Sequence, residues 1–300
     1  MYDSAPESDV LLCLKTHSSV LMYLALFFQL ISVTILSYFS LSTEIRNQEF
    51  FWAALACKVC ALSCTMYTCG VLVETRGWKV SYTRKIIHVV FFISPVIDMF
   101  LPVPNDASWL WASWNLHIVI WILLAMTKPM RRNFQFIQTM YSANHRPEDR
   151  GLTQTYAFFQ VILSILIISI FFVVFDKLGV AKLSLIPIFS VALGDGMAEA
   201  VAQFCDDFEV FGGTHRYETT ACCSGGRKFT RSLEGSLTVF IGTAISVAIL
   251  HDQLSKNQLI YLFTSLPATM TVLEAFAPHS LDNPILLLWG YFMTACGVFI

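Results

Sequence analysis

The chain has 300 residues, of which 56% are hydrophobic and only 13% charged, with a mean hydropathy of +0.62. A water-soluble domain of this length needs far more charge to cover its surface, so the composition excludes an ordinary globular protein and indicates one set in lipid. A formal net charge of -2 favours neither nucleic acid nor an acidic partner, and 25 phenylalanines suit a lipid-facing surface.

Residues 1–18 read as an N-terminal tail. Within Met1–Thr16 there are three acids (Asp3, Glu7, Asp9) and Lys15, without the basic start of a secretory signal or the Arg/Ser-rich character of a transit peptide. The first hydrophobic stretch, Ser19–Ser40, therefore reads as a retained helix. A span needs roughly 20 mostly apolar residues, and Phe51–Val73 supplies the second. It carries Lys58, which is predicted either to be functional or to pair with an acid such as Glu199 or Glu274. It also carries Cys57, Cys60, Cys64 and Cys69, which read as small hydrophobes rather than metal ligands, because the Cys57/Cys60 CxxC has no second ligand pair. Ile86–Val103 and Leu110–Met126 are shorter and interrupted, the former by Pro95 and Pro102. Tyr156–Phe175, Leu183–Phe204, Leu237–Leu250, Leu259–Ala275 and Pro284–Ile300 complete the series. The expected fold is all-α: a polytopic transmembrane bundle of about nine spans, or seven if the interrupted pair is lost. One domain, 19–300, then has loops at 74–85, 127–154 and 205–235.

Loop charge orients this bundle. Numbered from the N-terminus, the even side holds 14 of the 19 Lys and Arg residues and the odd side 4, with Lys58 inside a span. Positive charge stays with the cytoplasm, so the N-terminus is expected to be cytosolic.

Six polar segments fall on that even side. Arg84-Lys85-Ile86-Ile87-His88 places Arg84 and His88 on one helical face at a membrane boundary; by itself it is also what a snorkelling basic anchor looks like. Glu148–Leu152 is an ordinary polar loop. In Gly194-Asp195-Gly196-Met197-Ala198-Glu199-Ala200, the acids Asp195 and Glu199 lie a turn apart, close enough to share a divalent cation. Gly194, Ala198 and Ala202 form a small-residue stripe that admits a neighbouring helix. Phe211–Tyr217 is turn-prone and includes His215 and Arg216. Arg227-Lys228-Phe229-Thr230-Arg231-Ser232-Leu233-Glu234-Gly235-Ser236 puts cations and hydroxyls at a helix N-terminus, where unpaired amides and the dipole favour anions. Leu273–Pro284 adds Glu274 and Asp282. Cys222 and Cys223 read as ordinary loop cysteines that acylation could reach. Acids for a metal, cations for phosphate and a lipid-embedded body together suggest phosphoryl or nucleotidyl transfer to a membrane lipid.

In this order, RKIIH (84–88), the RG of EDRGL, GDGMAEA (194–200), FGGTHRY, RSLEGS (231–236) and the run ending LDN at Asn283 make the chain resemble the CTP-dependent polyprenol and lipid kinases. That family includes phytol, farnesol and dolichol kinases and is related to the CDP-diacylglycerol synthases. The resemblance covers most of the chain from residue 84 onward. It implies phosphorylation of a membrane isoprenoid alcohol or diacylglycerol from cytosolic CTP with magnesium. The lack of a transit-like N-terminus disfavours a plastid and leaves the endoplasmic reticulum or another endomembrane as the expected location. It implies that Asp195 and Glu199 serve the metal and that Arg231, Ser232, Glu234, Gly235 and Ser236 frame the phosphates. Arg84, Lys85, His88, Arg216, Arg227 and Lys228 are further phosphate-binding candidates, and Asp195 or Asp282 the acceptor of the hydroxyl proton. The chain departs from the family in having Arg231 before the serine where a lysine is common, Ala202 where glycine is frequent, and extra residues at Cys205–Val210 and Thr219–Gly226. The alternatives are CDP-lipid synthesis, for which the HGG and DRxD elements are missing, a transporter, for which no internal repeat is present, and a catalytically inactive scaffold, which the departures leave open.

Overall fold

The computed structural model describes residues 27, 29–35, 48–94, 108–146, 153–220, 228–278 and 281–300. Glu148–Leu152, Cys222, Cys223 and Arg227 lie outside them, as do Pro95 and Pro102. The described chain is mostly helical. After a helical stretch at 29–35 come α1 (Gln48–Arg76), α2 (Val80–Ile93), α3 (Ser108–Ala125), the short α4 (Lys128–Asn133) and α5 (Gln135–Ser142), and α6 (Thr153–Lys177). A continuous run from Ala181 to Asp207 follows: a 3-10 turn, α7 (Leu185–Phe189), a π-helical turn (Ser190–Asp195) and α8 (Gly196–Asp207). Strands β1 (Arg216–Thr220) and β2 (Lys228–Ser232) then lead into α9 (Leu233–Ile249), α10 (Lys256–Phe276) and α11 (Asp282–Val298).

Among the described residues, four helical segments are long and apolar enough to cross a membrane: Trp52–Arg76, Tyr156–Lys177, Ala181–Asp207 and Lys256–Phe276. Ser113–Ala125 and Leu233–Ile249 are shorter apolar helices. Bulky apolar side chains such as Ile170, Val272, Leu237 and Phe292 are exposed along these helices, as lipid-facing surfaces require. The core lies among α6, α7, α9, α10 and α11, where Ile186, Val191, Leu266, Met270, Leu286 and Tyr291 are wholly enclosed. The Tyr291 ring stacks on Phe171 at 4.6 Å and 6°.

Three expectations change. The loop at 74–85 shrinks to three residues, because α1 continues to Arg76 and α2 already starts at Val80. The segment 127–154 is partly helical: α5 buries Ile137 and Met140 and lies on α1 so closely that a Cβ at Gly70 would fall 1.8 Å from the Thr139 carbonyl oxygen. The chain is also not purely α, since 205–235 contains an antiparallel hairpin in the register Arg216↔Ser232 to Thr220↔Lys228. Alternating exposure along β1 and the Thr and Tyr content suit a ribbon seated on helix ends. Thr219 Oγ1 ties it to the Ala275 carbonyl at 2.7 Å.

Lys58 pairs with neither predicted acid. It is buried in α1, and its Nζ donates to Asn115 Oδ1 of α3 at 2.9 Å. Cys57, Cys60, Cys64 and Cys69 are free; the first three are exposed and Cys69 is buried against Met66.

Candidate active site

Helices α2 and α8 run antiparallel, and their polar faces form a ladder. Lys79 and Tyr82 bond Asp207 at its top, the tyrosine at 2.9 Å. Arg84 Nη2 meets Glu199 Oε2 at 2.6 Å. Below them Lys85 Nζ lies 3.0 Å from the Asp195 carbonyl, 3.4 Å from Asp195 Oδ2 and 3.7 Å from Glu199 Oε2. Deeper still, His88 Nε2 is 3.3 Å from the Val191 carbonyl and 3.8 Å from Asp195 Oδ2. A carbonyl only accepts, so Nε2 carries the hydrogen there and Nδ1 faces the Asn283 amide at 3.5 Å. The ring fits because residue 196 is glycine: a Cβ there would lie 2.9 Å from His88 Cδ2.

Small residues close the other side. A Cβ at Gly242 of α9 would sit 2.6 Å from the Gly194 nitrogen, and one at Gly235 would meet the Ala198 carbonyl oxygen at 3.4 Å. The stripe Gly194/Ala198 thus lets α9 approach the π turn backbone to backbone, which sets Asp195 beside α9. π turns inside longer helices recur at functional sites, where the extra residue re-aims a side chain.

Arg231, at the end of β2, is enclosed: Nη1 pairs with Glu274 Oε1 at 2.8 Å and Nη2 donates to the Ala277 carbonyl at 2.8 Å. Asp282 Oδ1, at the start of α11, accepts from the Gln160 amide of α6 and from the Asn283 backbone N–H at 2.8 Å. Both members of the Arg231–Glu274 pair are under 10% exposed, so removing one leaves a charge in a poorly solvated place. Glu274→Leu is expected to lower stability by about 3–5 kcal/mol, and adding Arg231→Met to recover most of it. Thermal unfolding of both variants checks this; equal losses would mean that packing rather than charge is responsible.

These elements enclose a cleft of about 250 Å³. Of the residues expected from sequence, Arg84, Lys85, Asp195, Glu199, Arg216, Arg231, Ser232, Gly235, Ser236 and Asp282 line it. His88 lies behind Asp195. Lys228 is placed only as the β2 residue opposite Thr220. Glu234 does not line the cleft: its carboxylate accepts from the His215 backbone N–H at 3.1 Å and faces His215 Nδ1 at 2.7 Å, bracing the hairpin. The helix N-terminus expected to offer unpaired amides is in part already capped. Gly235 N donates to Ser232 Oγ at 3.0 Å, and Leu233 N to the His215 carbonyl at 2.9 Å.

Arg146, Gln203, Asp206, Thr214, Thr230 and Glu274 also line the cleft and were not among the expected site residues. Gln203 and Asp206 continue the helical spacing of Asp195 and Glu199, a signal present in the sequence. Glu274 is an acid within an apolar span, which is itself a functional flag. Arg146 has no such signature.

The site does not fit an ion held jointly by Asp195 and Glu199. The Lys85 ammonium already stands between the two carboxylates, near Oδ2 of one and Oε2 of the other, and Arg84 pairs with Glu199 as well. Among the described residues no group of three His, Cys, Asp or Glu side chains is arranged to hold a metal.

Fold and site together define a helical membrane protein with a charged, partly enclosed cleft roofed by a β-hairpin. Compared with known proteins, the chain matches no family model, no curated protein and no solved structure.

Proposed function

We propose that the chain is a CTP-dependent lipid kinase that phosphorylates a membrane isoprenoid alcohol or diacylglycerol at the cytosolic face of an endomembrane such as the endoplasmic reticulum. In this reading it crosses the bilayer about nine times with its N-terminus in the cytosol. The observation that carries the proposal is the convergence of Arg84, Lys85, Arg146, Arg216 and Arg231 with five carboxylates in one cleft built on apolar helices.

Phosphoryl transfer requires in-line positioning and neutralisation of charge more than covalent chemistry by the protein. Lys85, Arg84 and Arg231 supply fixed positive charge on a largely dry floor, where its effect is greatest. The acceptor hydroxyl attacks the γ-phosphorus, the bond from phosphorus to the β–γ bridging oxygen breaks, and CDP leaves with that oxygen. Asp282 takes the hydroxyl proton; the Gln160 amide and the Asn283 backbone N–H, both donating to its Oδ1, help to orient it. A magnesium ion brought in on the nucleotide's phosphates would add further charge neutralisation beside Lys85 and Arg231.

The test is purified protein in detergent with γ-labelled CTP, magnesium, and a panel of phytol, farnesol, a polyprenol and diacylglycerol. Label in a lipid product is expected, and its mobility names the acceptor. Pyrophosphate release with a lipid phosphate, and no labelled lipid, would replace the kinase by a cytidylyltransferase. Neither product would refute both.

A further inference from the structure

The cleft is graded along its length, and the gradient gives a bound nucleotide a direction. Its polar wall is one face of the helical run from Asp195, at the end of the π turn, to Gln203 and Asp206 of α8. Eleven residues of helical rise separate Asp195 from Asp206, about 16 Å along the axis, which is comparable with an extended nucleoside triphosphate. At the inner end the charged groups are enclosed: the side chains of Lys85 and Arg231 are 10% and 9% exposed, and that of Asp195 6%. At the outer end Arg216 is 63% exposed and its ion-pair partner Asp206 31%. Beneath the inner end lies an apolar layer that includes Ile186 and Val191, both fully buried.

We infer that the nucleotide enters phosphate-first, with its γ-phosphate at Lys85 and Arg231 and its base and ribose held at the mouth by Gln203, Asp206 and Arg216. This rests on the kinase reading above and adds an orientation and a specificity element to it. Three arguments support it. A lipid hydroxyl comes from the apolar side, so the phosphoryl group that it attacks belongs at the floor. The enclosed ammonium of Lys85 and guanidinium of Arg231, each ion-paired with a carboxylate, are N–H donors suited to a phosphate, whereas a base is read by directional donors and acceptors. The mouth supplies these: Arg216 Nη2 bonds Asp206 Oδ2 at 2.6 Å and Gln203 Nε2 donates to Asp207 Oδ1 at 2.8 Å. A guanidinium donates to the O2 and N3 acceptors of cytosine, and a carboxylate accepts from its amino group or from ribose hydroxyls. Arg216 is thereby moved from phosphate contact to base contact.

The experiment is calorimetric binding of CTP, ATP and inorganic tripolyphosphate to detergent-purified wild-type protein and to the Arg216→Ala and Gln203→Ala variants. Both side chains sit at the outer end of the cleft, so folding is expected to survive. CTP affinity should fall about tenfold for Arg216→Ala, the loss of a charge-assisted hydrogen bond, and less for Gln203→Ala, whose amide is neutral, and the preference for CTP over ATP should narrow. Tripolyphosphate affinity should stay within about twofold, since the floor is intact. Equal weakening of CTP and tripolyphosphate would put the phosphates at the mouth and overturn the orientation while leaving the kinase reading standing. Unchanged binding of CTP would place the base elsewhere, with the same consequence. Wild-type protein that binds neither CTP nor tripolyphosphate would remove the nucleotide reading and this orientation with it.

Discussion

Asp195→Asn is expected to reduce lipid phosphorylation by roughly 10²–10³-fold, the size of effect seen when one fixed electrostatic element of a buried site is lost. The chain should still insert and fold. Asp195 is where the floor of the cleft is organised: its carbonyl and carboxylate both face Lys85 Nζ, and His88 packs behind it. The asparagine keeps the backbone carbonyl and a side-chain oxygen, so Lys85 retains hydrogen-bond acceptors and its ion pair with Glu199. What disappears is the negative charge that holds the Lys85 ammonium in position against an incoming phosphate. Labelled-phosphate transfer together with thermal unfolding in detergent separates the two effects. Wild-type turnover would sink the assignment of Asp195, and loss of folding in step with activity would make its role structural.

Gly242→Ala is expected to do the opposite, removing stability first and activity as a consequence. The added methyl group would sit 2.6 Å from the Gly194 nitrogen, 2.7 Å from its Cα and 2.7 Å from the Leu193 carbonyl carbon. All three are backbone atoms, so no rotamer change relieves the clash; α9 must move away from the π turn. Overpacking of this kind costs about 3 kcal/mol or more. Moving α9 also displaces Gly235 and Ser236 from the cleft wall. On the same helix Ile245 is 46% exposed, and Ile245→Ala should change stability by no more than about 0.5 kcal/mol. A melting temperature for Gly242→Ala equal to that of Ile245→Ala would show that the helices are not in backbone contact.

Much of the site was legible because two sequence signals coincide there. Helical spacing puts Asp195 and Glu199 on one face, and both lie within a run otherwise apolar enough to cross a membrane, where charge is costly without a partner. The same logic marks Glu274, which lies in the apolar run Lys256–Phe276. The small residues Gly194 and Ala198 announced a close helix contact, and Gly235 and Gly242 are the residues that make it. Spacing along one helix, however, cannot say what stands opposite. The two acids were expected to share a metal ion; the Lys85 ammonium from α2 takes that place, because the antiparallel register of α2 and α8 brings it there. Glu234, from its position in a phosphate-like segment, was expected to frame a ligand and instead braces the hairpin through His215.

By itself, then, the sequence determined the solvent of this protein, the helical character of its long segments and the identity of the residues too polar to be idle within them. Those properties are local: they follow from composition and from a period of 3.6 residues, and they hold whatever the neighbours are. The pairing of charges was decided only in three dimensions. Lys58 with Asn115, Arg231 with Glu274, and Asp282 with Gln160 each join residues from distant parts of the chain. Each pairing depends on helix register, and register is set by close packing at a few glycines and by the π turn that ends at Asp195. The hairpin over the cleft belongs to the same class, since a two-stranded ribbon is marginal alone and this one is held by its bonds to helix ends.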